Sequence, residues 1–231
     1  MNQRWEWWLG IVGLLMLIGS HYVGLFIAPP EAMMGDVGRI LYAHVPTAWI
    51  GLLTYLVAFI AAIGAMMTGR AAWDAMVEAT VEVGLLLNVL LLVQGSLWAK
   101  PTWGVYWTWD PRLTTCAIMV VAFGVVLALR RQIDDPNRRL TLSSVATIIA
   151  FVNVPIVYMS VRWWRTIHQD FSSPETVSSA MVTPLRIAAF GMLFLAISFV
   201  VRRWRVTLHH LEAEFEAPDL PDPTQPLAVE D

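Results

Sequence analysis

The sequence predicts an all-α polytopic membrane protein with six transmembrane helices and both termini cytoplasmic. Three observations carry that prediction. Apolar residues make up 57% of the chain and charged residues only 14%, against about 25% charged in a typical soluble domain. A soluble chain of 231 residues could not hide so much apolar surface. Apolar stretches near the ~20 residues that cross a bilayer recur along it, six in all. Lysine and arginine are also spread unevenly between the connecting segments, which sets an orientation.

Taken in order, the spans fall near residues 7–27, 47–67, 77–98, 113–129, 142–160 and 184–201. The first is too long for a signal-peptide core and lacks a small-residue cleavage site, so it reads as a retained helix. With the N-terminus inside, nine of the fifteen basic residues lie on inner segments, including the paired arginines around the turn at 134–137. Glu78 and Glu82 are four apart at the inner end of the third span, where they are expected to reach headgroups or a partner subunit. Asn153 and Pro155 fall inside the fifth span: the proline should kink it and the amide bond across helices. Residues 1–211 form the membrane domain, and 212–231, acidic and proline-rich, read as a disordered tail. Cys116, the sole cysteine, sits in the fourth span, so no disulfide and no C-x-x-C pair exist within the chain. With no basic, aromatic-interleaved surface, nucleic acid is not an expected partner; membrane lipid is.

The most informative stretch links spans three and four. Residues 98–110 read Trp-Ala-Lys-Pro-Thr-Trp-Gly-Val-Tyr-Trp-Thr-Trp-Asp. Pro101 and Pro111 bracket its dense part, which argues against the interior of one continuous helix. Trp103, Trp107 and Trp109 cannot share one helical face, because the last two are only two apart. Flat rings held together on a short outer loop make a platform for a large planar ligand. Tryptophan also forms interfacial belts, and that suffices for Trp5, Trp7, Trp8, Trp49, Trp73 and Trp204. A belt does not need so many rings in one short loop.

Two histidines share the loop's side of the membrane: His44 ahead of the second span and His168 after the fifth. A lone interfacial histidine is commonly a hydrogen-bonding residue; two beside an aromatic platform suggest ligands. Imidazole ligates haem iron axially, tryptophan faces supply apolar contact, and arginine pairs with carboxylates such as the propionates. Arg39, Arg112 and Arg165 lie within five residues of His44, Asp110 and His168 respectively. The parts of an outer-face haem site are all present. Asp110, followed by Pro111, is either a helix cap or a functional acid, and the two roles are compatible.

Trp103-Gly-Val-Tyr-Trp-Thr-Trp-Asp110 matches the WGxxWxWD signature of the haem-handling membrane proteins of cytochrome c maturation. Within this WWD-domain family the chain resembles the small six-span type, CcmC. The likeness extends to the histidine-bearing first and third outer loops, to Val45-Pro46, to Asn153-Val-Pro-Ile156, and to Ser160-Val-Arg-Trp-Trp-Arg-Thr-Ile-His168-Gln. The resemblance implies that His44 and His168 are axial ligands of haem b, held non-covalently in transit. It assigns Trp103, Gly104, Trp107, Trp109 and Asp110 to the haem and partner platform, with Arg39 and Arg112 in support.

It further implies a bacterial inner-membrane protein whose haem site faces the periplasm and delivers haem to a membrane-anchored haem chaperone. The other implied partners are an ABC-type ATPase, its membrane subunit and a small single-span subunit. Covalent attachment would occur on the chaperone, so the chain is not expected to be an enzyme; lacking a P-loop, it is not the ATPase either. Two alternatives stand beside this reading. A haem transporter would need a polar route through the spans, and only Asn88, Gln94 and Asn153 are visible there. A haem lyase of the superfamily carries extra spans and a further histidine pair, which this chain lacks.

Overall fold

The computed structural model describes residues 4–169 and 178–216. Helix α1 spans Trp5–Phe26, and a 3₁₀ turn at Asp36–Ile40 leads into α2, Leu41–Thr68. Then follow α3 (Ala71–Trp103), α4 (Pro111–Arg130), α5 (Pro136–Phe151), α6 (Asn153–Trp163) and α7 (Ser179–Glu216). Helices α5 and α6 are two halves of one span, so the fold is all-α with six helices long and apolar enough to cross a membrane. The break between them has a local cause. Pro155 has no N–H for the carbonyl of Phe151, and the helix turns at Val152. Asn153 Nδ2 then donates across the bundle to the Thr115 carbonyl at 2.8 Å, as expected for an amide placed in a span.

Several helices outrun their apolar cores. Helix α3 begins six residues before the expected span and continues through Pro101 to Trp103. That proline is tolerated because it stands in the last turn, where only one intrahelical bond is lost. Gly104 ends the helix: at φ +80° it adopts the left-handed cap, its N–H donating to the Lys100 carbonyl at 3.0 Å. Half of the aromatic segment is thus helical and half is loop. Helix α7 runs to Glu216, past the expected tail boundary at 212; residues 217–231 lie outside the described residues.

Packing follows membrane rules. Helix α1 lies against α7 through small residues, and a Cβ on Gly13 would stand 2.7 Å from the Gly191 carbonyl oxygen. Lipid is as apolar as leucine, so close backbone approach and interhelical hydrogen bonds replace the hydrophobic drive. Ser198 Oγ accordingly donates to the Glu6 carbonyl at 2.7 Å and Ser20 Oγ to the Pro184 carbonyl at 2.6 Å. Between α2, α4 and α5, Tyr55 stacks on Phe123 with centroids 3.6 Å apart, and Phe59 on Phe151 at 4.3 Å.

One end of the bundle is closed by charge. Arg130 is buried and grips Asp74 with two bonds of 2.6 and 3.1 Å, Glu78 at 2.9 Å and Ser143 Oγ at 2.7 Å. Arg203 reaches Glu78 at 2.7 Å and also pairs with Glu82. The two glutamates therefore face arginines of the same chain rather than headgroups or a partner. Arg205 pairs with Glu6 at 2.6 Å and the Arg202 guanidinium lies over the Trp7 ring, which ties the start of α1 to the later turns of α7 at this same end.

Breaking a buried ion pair leaves an uncompensated charge and costs about 3–5 kcal/mol. Arg130→Ala should therefore lower the thermal unfolding midpoint of the detergent-solubilised protein strongly. Asp74→Asn, which keeps one acceptor for the guanidinium, should lower it less. Circular dichroism melts of the two variants check the order.

Candidate functional site

At the opposite end the helices part. A cavity of about 300 Å³ lies among the first turns of α2, the last turns of α3, the start of α4, the end of α6 and the segment carrying His168. That volume sits at the lower end of the ~300–1,000 Å³ range of cofactor and ligand sites. His44 and His168, 124 positions apart in sequence, both line it, together with Trp103, Trp107 and Arg112.

Each histidine is held by its surroundings. The His44 ring meets Trp98 edge-on, with centroids 5.3 Å apart and planes at 79°. Gly95 makes room for it: a Cβ there would come within 3.3 Å of His44 Cε1. His44 Nδ1 is buried and has no partner. His168 is fixed differently. Its Nδ1 lies 2.7 Å from the Gln169 carbonyl oxygen and so carries the proton, leaving the Nε2 lone pair free. Its ring lies 6.4 Å from that of Trp103, at 63°. Burial lowers the His168 pKa and Arg112 adds to this, outweighing the Gln169 bond and the charge of Asp110. The imidazole is therefore kept neutral, the form that binds a metal.

Asp110 fills the first of its expected roles, the helix cap, and holds a second segment with the same carboxylate. Its Oδ1 caps α4 by accepting from the Arg112 N–H at 2.9 Å. The same carboxylate accepts from Thr166 Oγ1 at 2.8 and 2.7 Å and from the Ile167 N–H at 2.9 Å. Thr166 Oγ1 in turn accepts from the His168 N–H at 3.0 Å. The acid is thus a clasp that fastens the His168 segment onto the start of α4. Burial works against the charge, but the bonds from Thr166, Ile167 and Arg112, with His168 nearby, hold the pKa below the usual carboxylate range.

The other expected residues do not all face the cavity. Arg112 lines it while donating through Nη1 to the Val157 carbonyl. Arg39 points elsewhere: its Nη1 donates to the Gly24 and Ala28 carbonyls at 2.6 and 2.9 Å, closing the end of α1, and its Nε pairs with Asp36 at 2.8 Å. Gly104 is the α3 cap. Trp109 is 82% exposed and meets Trp107 edge-on at 5.8 Å, an apolar surface beside the cavity rather than within it. Trp98, the first ring of the aromatic segment, lines the cavity, as do Trp49, Cys116 and Tyr158, which sequence reasoning did not place there. Trp49 could have been found. His44, Ala48, Trp49 and Leu52 follow the i, i+4, i+5, i+8 spacing of one helix face, and only the helical state of His44 itself was missing.

Comparison with known proteins decides the family. The model of the family described as Heme exporter protein C matches residues 1–217. The chain belongs to the Heme exporter protein C family. Among curated relatives so named, that of Haemophilus influenzae is 36% identical over 199 residues, covering 84% of this chain and 81% of the relative. That of Escherichia coli K12 is 32% identical over 199 residues, covering 86% and 81%. A ccmC-like mitochondrial protein of Marchantia polymorpha, named for cytochrome c biosynthesis, is 30% identical over 187 residues, covering 80% and 79%. Family membership extends over every helix and both histidine-bearing segments.

The clasp makes a prediction. Hydrogen bonds to a charged group contribute about 1.5–3 kcal/mol each, so Asp110→Ala should raise amide exchange over residues 164–169 at least tenfold while leaving α2 and α3 protected. Because the folded pKa is lowered, the clasp's contribution is complete above the unfolded carboxylate value of 3.8 and is lost as pH falls through the folded value. Exchange in that segment, corrected for intrinsic rates, should stay constant from about pH 8 to 5. A transition within that interval would refute the assignment.

Proposed function

We propose that this member of the Heme exporter protein C family holds haem b non-covalently, as cargo, on the outer face of the bacterial inner membrane. His44 and His168 are its axial ligands, and it passes haem to a membrane-anchored haem chaperone during cytochrome c maturation. The observation that carries the reading is the convergence of two histidines from distant segments on one tryptophan-lined cavity.

The donor set suits the group. Neutral imidazole is a good ligand for haem iron; both histidines line the cavity, and the His168 Nδ1 bond to the Gln169 carbonyl leaves its Nε2 lone pair for a metal. Trp49, Trp98, Trp103 and Trp107 supply apolar ring surface around them, and Arg112 a cation for a propionate. Haem brings the chemistry of its iron; the chain orients the ligands and keeps them neutral. Trp109 and Tyr106, exposed beyond the cavity, offer the surface that the arriving chaperone meets.

In this reading the chain itself forms no covalent bond and is not an enzyme. An ABC-type ATPase, its membrane subunit and a small single-span subunit work beside it to release the loaded chaperone. The relatives' name and the positive-inside bias support placing the cavity on the periplasmic side and both termini in the cytoplasm.

The test is spectroscopic. Protein co-expressed with the chaperone and purified in detergent should carry haem with the absorption spectrum of a bis-histidine complex. His44→Ala and His168→Ala should each shift that spectrum and lower haem occupancy, on the order of tenfold or more for a lost iron ligand. Haem-free wild type, or both variants with the spectrum unchanged, would exclude this ligand set.

A further inference from the structure

The end that carries the Arg130 network has a cavity of its own. It measures about 250 Å³ and opens between α3, α4, α5 and α7. Leu127 and Leu211 are the apolar side chains in a lining otherwise made of arginines, glutamates, Thr207 and His210. The glutamates are already engaged: Glu78 and Glu82 by Arg130 and Arg203, Glu214 by Arg139.

What remains is a set of donors without acceptors. Arg139 Nε is buried and unpartnered, although Nη2 of the same guanidinium holds Glu214. Thr207 is 3% exposed, and its Oγ1 has no partner either. Thr114 Oγ1 in α4 is likewise buried without a partner, but five other helical threonines behave differently. Thr47, Thr54, Thr80, Thr102 and Thr147 each donate to the carbonyl four residues back, at 2.6 to 2.8 Å. The Arg131 side chain makes no hydrogen bond or ion pair among the described residues.

We propose that this cavity binds a phosphate group. Phosphate presents several acceptor oxygens in a compact anion, which suits a guanidinium N–H, a hydroxyl and a further guanidinium converging on a polar space. Because the glutamates are neutralised by arginines, the approaching anion meets donors rather than unscreened carboxylates. A flat apolar ligand finds little surface there. The site also lies at headgroup depth, since Arg130 is the last residue of α4 and the α7 residues lie beyond its apolar part. Basic pockets between spans at this depth hold anionic headgroups. The phosphate can come from an anionic phospholipid or from solution.

Two arms separate the sources. In the first, the full-length protein is reconstituted in nanodiscs of phosphatidylcholine containing phosphatidylglycerol, and retained lipid is measured by native mass spectrometry. In the second, the detergent-solubilised protein is melted in inorganic phosphate and in chloride of matched ionic strength. A lipid-derived ligand gives about tenfold preferential retention of phosphatidylglycerol. A free ligand gives a higher melting temperature in phosphate. Thr207→Val, which keeps the shape, and Arg131→Gln, at an exposed position, should abolish whichever effect the wild type shows. Neither effect in the wild type, or undiminished effects in both variants, overturns the proposal.

Discussion

A buried charge in a bilayer-spanning helix is costly to leave unpaired, and in this chain that constraint converges on Arg130. A cation buried at the end of α4 cannot be left alone, because its desolvation costs several kcal/mol. Asp74, Glu78 and Ser143 answer it from α3 and α5, and Arg203 extends the network to α7. Four helices are thereby joined at one end through charge–charge contacts whose geometry is specific, where apolar packing in lipid specifies little. With the helices tied together at that end, they part at the other, where the ligand-sized cavity with its two histidines lies.

The open end is organised by economical means. Gly104 stops α3 with a left-handed cap, so the aromatic segment turns away from the helix after Trp103. Asp110 starts α4 and binds the His168 segment with the same carboxylate. A single acid thus couples the aromatic loop to the distal histidine, and the WGxxWxWD motif acts as a structural clasp as well as an aromatic surface. Trp103 and Trp107 are turned toward the cavity, whereas Trp109 faces outward. One short motif therefore serves both the inside of the site and the surface beside it.

Much of this was legible in the chain because its signals are local. Six apolar runs, the helix-breaking effect of Pro155 and the capping chemistry of Asp110 need only neighbouring residues to be recognised. His44 and His168 were legible as a pair because both flank spans on one side of the membrane. Less was legible where a side chain's direction depends on distant contacts. Arg39 sits near His44 in sequence, yet it turns back to the carbonyls at the end of α1. Glu78 and Glu82 had no visible partners until α4 and α7 brought arginines to them. Trp98 faces the cavity from α3 through a helix rotation that no single-span pattern specifies, whereas Trp49 shares the helix face of His44.

Six spans, an all-α fold, an aromatic segment on the same side as two histidines and a family likeness are all readable from the order of residues alone. Hydrophobic length, charge bias and a dense motif are properties of contiguous residues, so they survive without coordinates. Only the tertiary structure decided which rings enter the cavity, which arginine faces it and what Asp110 holds. Those depend on helix rotation and on bonds between residues up to 57 positions apart, of which the Asp110–Ile167 bond is one. Neither helical periodicity nor composition encodes such pairings; they are settled by the requirement that buried polar groups be satisfied once the helices meet.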